Sequence, residues 1–350
     1  MIVQLAVACL GSFVVALGVV WLIAKNAPQL GLMDVPNERS SHKSSTPRGG
    51  GIGLVSGVAA GTLVLAVLEI APGWKLGALL IATAAIATLG AVDDIHPVRA
   101  VYRLLVQIAV ATALVVVLGG VSRLPLPPPL DVPVGWVAGP MAVLWLIAVT
   151  NFYNFMDGID GLAAGQAVAS CLGIIVAAWS PEAIQFAAVL AAAAVGFWVL
   201  NRAPARIFLG DVGSTSLGFA IAGLPLLAPV GQRSMAIFAV AAGLSLFLLD
   251  PIETLLRLLR SGHRIGTAHR SHSYQLLAFT RDRHGSVAAV LTIVGLALAI
   301  GGGLSYRNHW AAWPVALVAL CAFGVERYLA GRQRIRPVAE EPPAAEPSSG

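Results

Sequence analysis

The side chains most able to do chemistry in this 350-residue chain are acidic, and they are few: 17 Asp and Glu in all. Three groups of them stand out. The first is Asp93-Asp94, directly after the apolar run Leu89-Gly-Ala-Val. Adjacent carboxylates repel unless a cation lies between or beside them. A hard cation such as Mg²⁺ takes oxygen ligands and pairs naturally with phosphates. A plain helix C-terminus would explain the pair less well, because negative charge there opposes the helix dipole. The second group is Asn151, Asn154, Asp157 and Asp160, four polar residues in ten positions. Asp157 and Asp160 share a face if a helix runs through them, and Gly158 and Gly161 permit a break with close backbone approach. Capping of a helix that starts near Gly161 is the simpler alternative. The third is Asp211, set among glycines in Phe208-Leu-Gly-Asp-Val-Gly. It is an N-cap or a metal ligand. Phe208 is a surface for stacking a base or an aromatic at the membrane interface.

Basic groups accompany the acids. The stretch 257–285 holds His263, His269, His272, His284 and six Arg. The spacing His269-Arg270-Ser-His272 could hold zinc on a helix, but no Cys is nearby and the other ligands would have to be carboxylates. A His/Arg cluster facing a membrane is better suited to phosphate, although most of these arginines need no role beyond a basic loop. Earlier, Asp34 is followed by Arg39, His42, Lys43, Arg48 and the glycines Gly49 to Gly51. A Gly-rich turn that enters a helix can offer backbone N–H groups to phosphate. It lacks the preceding strand of a Walker loop.

The elements that must position these residues are membrane helices. Apolar residues make up 57% of the chain and charged residues 11%, with a mean hydropathy of +0.83. Soluble domains carry roughly 25% charged residues. An ordinary cytosolic enzyme, a disordered protein and a disulfide scaffold are therefore excluded. Cys9, Cys171 and Cys321 lie far apart in apolar runs and form neither a disulfide framework nor a metal cluster. Eleven apolar runs are long enough to cross a bilayer: 3–24, 51–70, 76–92, 103–121, 140–156, 161–179, 183–200, 212–230, 235–256, 286–304 and 311–329. Alternating β-barrel patterning is absent. The fold class expected is all-α, a polytopic integral membrane protein of about eleven spans. The first span has no basic leader and reads as a retained helix. Residues 1–336 form one transmembrane domain, and 337–350, rich in Pro, Ala, Glu and Ser, form a disordered tail.

Charge sets the orientation. Of the 22 Lys and Arg, 18 fall in the connections 25–50, 93–103, 201–211, 257–285 and the end after 327. The opposite side has only Lys75, Arg123, Arg233 and Arg307. The positive-inside rule then places the N-terminus in the periplasm and the C-terminus in the cytoplasm. The net charge of +5 is mostly a topology signal, and no continuous basic face points to nucleic acid. Eight of the nine Asp fall on the cytoplasmic side, with only Asp131 outside, in a Pro-rich connection that reads as a stiff cap. Charges near hydrocarbon are costly and are functional by default.

In order and sidedness, the five patterns from Asp34 to Gln275 resemble the polyprenyl-phosphate N-acetylhexosamine-1-phosphate transferases. They look more like the O-antigen-initiating members than the phospho-MurNAc-pentapeptide transferase of peptidoglycan. The resemblance implies attack of undecaprenyl phosphate on the β-phosphate of a UDP-N-acetylhexosamine at the cytoplasmic face of the bacterial inner membrane. The products are undecaprenyl-diphosphate-sugar and UMP. It implies Mg²⁺, or Mn²⁺ in its place. The Asp93-Asp94 pair matches the family's aspartates held to deprotonate or orient the lipid phosphate, and Asp94 also stands as a metal ligand. Asn154, Asp157 and Asp160 match the Asn-x-x-Asp-Gly-x-Asp-Gly stretch of nucleotide binding and catalysis. Asp211 matches the metal-binding aspartate, Phe208 the aromatic that stacks on uracil, and His272 the histidine associated with the phosphates. Lys43 and Arg48 are looser matches for basic groups of the first loop, with His42 and Arg270 as neighbouring substrate-binding candidates. One departure is visible. Many relatives carry several histidines in the last motif, where this chain has His272-Ser-Tyr274-Gln275.

The expected partners are undecaprenyl phosphate, the UDP-sugar and the bilayer, with a homodimer as one assembly open to the chain. Two other classes compete. A secondary transporter would bind cations on acids near the bilayer midplane, usually within inverted repeats, and neither feature is visible here. A non-catalytic lipid-phosphate scaffold would not need the paired carboxylates.

Overall fold

The computed structural model describes residues 2–34, 45–68, 73–260, 272–279 and 283–334. The tail 337–350 and the expected substrate-binding residues His42, Lys43 and Arg270 lie outside them.

Thirteen α-helices carry the chain. They are α1 (Ile2–Leu30), α2 (Gly50–Val67), α3 (Trp74–Ile95), α4 (Ala100–Leu118), α5 (Ala138–Phe155), α6 (Leu162–Ala177) and α7 (Pro181–Asn201). They continue as α8 (Gly210–Gly223), α9 (Arg233–Gly243), α10 (Ser245–Arg260), α11 (Ser273–Phe279), α12 (His284–Arg307) and α13 (Ala312–Arg334). Two two-residue strands, β1 (Met33–Asp34) and β2 (Thr46–Pro47), pair antiparallel beside α2. The protein is an all-α polytopic membrane protein. Among the described residues, eight helices are long and apolar enough to cross a bilayer, or nine if a bent pair counts as one span.

Each of the eleven expected apolar runs overlaps a helix among the described residues, but three are not simple spans. The run 161–179 becomes α6, whose 16 residues reach only about 24 Å at 1.5 Å per residue. The run 212–230 becomes α8, which tightens into a 3-10 turn at Leu224–Leu227, where Pro225 sits, and then meets the next segment at 119°. The run 235–256 divides at Leu244 into α9 and α10. Its second half carries Asp250, Glu253 and Arg257. These cannot rest in hydrocarbon without cost, and the turn after Gly243 lets α10 take its own direction.

Large apolar side chains such as Trp21, Leu63, Ile81, Val116, Leu144, Ile293 and Leu317 are exposed on the outer surface. They are a lipid-facing belt. Inside, helices meet through small residues. Gly53, Gly57 and Gly61, spaced four apart on α2, lie against Ala8, Ser12, Ala16 and Val20 of α1, and a Cβ at any of them would collide with that helix. This is close helix approach through small residues, since lipid gives helices no hydrophobic reason to associate.

Contacts sort the connections into two ends. At one end, the N–H of Gly50 donates to the carbonyl of Phe208 at 2.9 Å, and the N–H of Ala205 donates to Asp160 at 3.0 Å. Arg327 pairs with Glu253 at 3.1 Å there. At the other, Gln4 reaches the carbonyl of Leu68 at 3.3 Å, Arg123 pairs with Asp131 at 3.0 Å, and Trp313 donates to the carbonyl of Pro128 at 2.7 Å. Among the described residues, the connections that carry Arg48, Arg103, Arg202 and Arg206 thus meet at one end of the helices.

Candidate active site

The site forms at the basic end, where α3, α4, α5 and α8 converge. Asp93 and Asp94 occupy the last turn of α3. They face different partners. Both oxygens of Asp94 accept backbone N–H groups of α8, Oδ1 from Asp211 and Oδ2 from Val212, each at 3.0 Å. Gly210, with φ +76°, makes the left-handed turn that aims these amides at Asp94, and a Cβ there would lie 2.6 Å from Asp94 Oδ2. Asp94 therefore caps α8, filling the donors that a helix N-terminus leaves unsatisfied.

Asp93 turns the other way. Its Oδ1 accepts the Val98 N–H at 2.6 Å, which closes the turn into α4, and its Oδ2 pairs with Arg103. The same Arg103 nitrogen reaches Asp211 Oδ2 at 3.2 Å. A cationic side chain thus bridges two carboxylates that would otherwise repel. Sequence reasoning counts Arg103 only toward topology. Its position in the short connection between Asp93 and the next apolar run was the available signal.

Asn154, on the last turn of α5, donates to Asp211 Oδ1 at 2.9 Å and to Ser214 Oγ at 2.8 Å. Asn151, one turn earlier, donates to Gln107 Oε1 at 2.7 Å. Ser214 and Gln107 are further site residues that no sequence pattern marks. A narrow cleft of only about 10 Å³ lies between Gly90, Asp93, Arg103, Asn154, Asp211 and Thr215.

Asp157 follows the end of α5. Among the described residues, no donor reaches its carboxylate. Burial, reinforced by the charges of Asp211, Asp94 and Asp160, pushes its pKa well above the usual carboxylate range. A group so placed favours a proton or a cation beside it. Asp160 turns away from this centre. Its Oδ2 accepts the Ala205 N–H at 3.0 Å, and its Oδ1 lies 3.9 Å from His284 Nδ1. The N–H of Gly161 is taken by Asn201 at 3.0 Å. Asp160 ties the motif to the 202–207 connection and to α12, so the structure does not bring it into the cluster with Asp93 and Asp211.

Phe208 is half-buried and held by backbone on both sides: its N–H donates to the Pro47 carbonyl at 2.8 Å, and its carbonyl accepts from Gly50. This brings the first basic stretch to the site. Arg48 lies close enough for its charge to act on Asp94, and its buried Nε has no hydrogen-bond partner among the described residues. Asp34 pairs through β1 with Thr46 on the same side. His272 stands at the start of α11, with Nδ1 3.4 Å from Asp250. Tyr274, two residues on, is fully buried and donates to the Phe155 carbonyl at 2.9 Å. Its role is to dock α11 against the Asn154–Asp160 loop.

The donors at the centre are carboxylate, amide and hydroxyl oxygens. No group of three His, Cys, Asp or Glu among the described residues converges tightly enough to hold a metal alone. Such a set fits Mg²⁺ or Mn²⁺ held by one or two carboxylates and completed by water and substrate phosphate. It does not fit zinc.

A family model described as "Glycosyl transferase family 4" matches residues 76–228, which include every acid of the centre but neither Arg48 nor His272. The chain is 30% identical over 299 residues to the probable undecaprenyl-phosphate N-acetylglucosaminyl 1-phosphate transferase of Bacillus subtilis, covering 83% of this chain and 82% of that relative. It is 29% identical over 339 residues to the decaprenyl-phosphate N-acetylglucosaminephosphotransferase of Mycobacterium tuberculosis, covering 85% and 82%. It is 31% identical over 282 residues to the phospho-N-acetylmuramoyl-pentapeptide-transferase of Moorella thermoacetica, covering 73% and 85%.

Proposed function

Because the chain belongs to the polyprenyl-phosphate N-acetylhexosamine-1-phosphate transferases of glycosyl transferase family 4, we propose that it transfers an N-acetylhexosamine-1-phosphate from a UDP-sugar to undecaprenyl phosphate. The reaction takes place at the cytoplasmic face of the bacterial inner membrane and begins an O-antigen or other envelope polysaccharide. The observation that carries this reading is the convergence of Asp93, Asp157, Asp211, Asn154, Arg103 and Arg48 at the basic end of the helices. The positive-inside rule makes that end cytoplasmic, with the N-terminus in the periplasm. A transporter would place such groups near the midplane instead.

In the proposed reaction an oxygen of the lipid phosphate attacks the β-phosphorus of the UDP-sugar. The bond from that phosphorus to the bridging oxygen breaks, and UMP leaves with the oxygen and its electron pair. Phosphoryl transfer of this kind depends on positioning and charge neutralisation. Mg²⁺ or Mn²⁺, when bound, would supply Lewis-acid neutralisation of the diphosphate. Asp211 and Asp157 are the carboxylates that would hold it. Arg103 and Arg48 would meet phosphate oxygens, and Phe208 would stack on the uracil. Asp94 positions α8, leaving Asp93 to orient Arg103. A groove of about 500 Å³ between α10 and α13 is lined by Leu249, Ile252, Leu256 and Phe323, with Arg257, Arg260 and the Glu253 that pairs with Arg257 also on its wall. It suits an isoprenoid chain with a phosphate head.

The test is purified protein, undecaprenyl phosphate and a panel of UDP-N-acetylhexosamines, scored for UMP and lipid-linked sugar with and without Mg²⁺. Asp211→Asn should abolish turnover in a protein that still folds. No UMP from any donor would overturn the reading.

A further inference from the structure

Asp250 is an acid that the proposed reaction leaves unused. It lies in α10, is wholly buried, and stands directly before Pro251. A buried carboxylate is costly unless its lone pairs are satisfied. Here they are, and almost all by one segment. Oδ1 accepts the Ser273 N–H at 3.2 Å and lies 3.4 Å from His272 Nδ1. Oδ2 accepts the Tyr274 N–H at 3.3 Å, and Thr254 Oγ1 donates to Oδ1 at 3.3 Å.

The far side of the segment is fixed as well. Tyr274 reaches the Phe155 carbonyl, and a Cβ on Gly158 would land on the Tyr274 hydroxyl. Gly158 lies next to Asp157, so the loop that carries this acid has been cut away to admit Tyr274. Arg327 of α13 adds a third hold, donating to Ser273 Oγ at 2.9 Å while pairing with Glu253 of α10. The His272 side chain is only 12% exposed. With Nδ1 turned to Asp250, Nε2 is the nitrogen left to face a ligand, because the bond at one ring nitrogen decides which atom the other side presents.

We propose that Asp250 is a positioning residue that orients His272 toward the reacting phosphates, with Tyr274 and Gly158 setting the distance between that imidazole and the Asp157 loop. The inference rests on the transferase reading. The simpler alternative is that Asp250 merely caps α11 and supports the fold.

The two differ in a double-mutant cycle on full-length protein, using the UDP-sugar that the wild type accepts. Asp250→Ala should lower kcat by about 10- to 100-fold, the usual effect of removing a residue that orients a functional histidine. KM for the UDP-sugar should change little, and Asp250→Asn, which keeps an acceptor, should lose less. In the His272→Ala background the same change should cost under about threefold, since residues acting through one group are not additive. Losses that multiply, or an unchanged kcat in Asp250→Ala, would overturn the proposal. If His272→Ala has no measurable turnover, the His272 ring decides, read by 15N NMR of labelled histidine. The wild-type imidazole should hold its proton on Nδ1 beside Asp250 and lose that tautomer preference in Asp250→Ala, whereas a preference unchanged by the substitution would sink the idea. A wild type inactive with every donor would refute the transferase reading itself, and the ring measurement would still report on the positioning.

Discussion

Asp94 holds Asp211 by its backbone and not by its side chain: the Asp211 N–H donates to Asp94 Oδ1 at 3.0 Å. The end of α3 thereby caps the start of α8 across 117 positions of sequence. Asp211 keeps its carboxylate free for Asn154 and Arg103. The two aspartates of the adjacent pair thus have separate tasks, one structural and one electrostatic.

Replacing Asp94 should therefore separate from replacing Asp93. Asp94→Ala leaves two α8 amides without their acceptor and should cost about 1–3 kcal/mol of stability together with most of the transfer activity. Asp94→Asn keeps one acceptor oxygen and should recover part of both. Asp93→Asn should lower activity with little change in melting temperature. Thermal melts in detergent beside UMP release check this. An Asp94→Ala protein that melts like wild type would refute the capping role.

Arg103 bridges Asp93 and Asp211 where a cation would also be drawn. Removing it has effects of opposite sign on two measurements. Arg103→Gln takes positive charge from beside Asp211, so the Mg²⁺ concentration for half-maximal activity should fall. It also removes a phosphate partner, so kcat should drop by about 100-fold or more. Arg103→Lys keeps a single cationic nitrogen that can bridge both carboxylates, as one Arg103 nitrogen does, so it should restore part of kcat, the rest being lost with the guanidinium donors that would meet phosphate. A Mg²⁺ requirement that rises in Arg103→Gln would contradict the arrangement.

Much of this was legible beforehand. The apolar runs overlap each of the eight long apolar helices among the described residues, though they number eleven, and the scarcity of charge made Asp93, Asn154, Asp157 and Asp211 conspicuous. What sequence could not show follows from three-dimensional pairing. Asp93 and Asp94 look equivalent until α8 arrives to take both oxygens of one. Asp160 looks like a partner of Asp157, but the turn at Gly161 sends it toward Ala205 and His284. Arg103 looks like one more basic loop residue. The division of 235–256 was hidden because a long apolar stretch reads the same whether it runs straight or turns at Gly243.

At the opposite end, Arg233 is almost fully buried and binds carbonyls instead of a carboxylate. Its guanidinium donates to Leu118 and Gly119 at 2.8 Å, to Gly120 at 3.0 Å and to Ala228 at 3.2 Å. These include the carbonyls that α4 leaves unpaired at its C-terminus. Arg233→Met should lower stability by roughly 2–4 kcal/mol, since several buried acceptors lose their donor. Below the melting temperature, kcat and KM should stay near wild type, because the residue is remote from the acids. A large fall in kcat without a lower melting temperature would show that the two ends are coupled.

The last prediction concerns close approach of backbones. Gly90 lies one turn before Asp93 and Asp94, and a Cβ there would fall 2.5 Å from the Asp211 carbonyl oxygen. The obstacle is backbone, so no side chain can rotate away. Gly90→Ala must push α8 from α3, lengthening the bonds from Asp94 to the Asp211 and Val212 amides and moving the Asp211 carboxylate off Arg103 and Asn154. No charge is changed. Overpacking of this kind costs about 1–3 kcal/mol, and displacement of a catalytic group by 1 Å can cost about 100-fold in rate. Gly90→Ala should thus retain its fold, melt a few degrees lower, and lose activity out of proportion to its stability. Gly77 on the same helix has open space around it, so Gly77→Ala is the control and should leave both quantities unchanged. Equal activity in the two variants would mean that the α3–α8 spacing does not set the geometry of the acids.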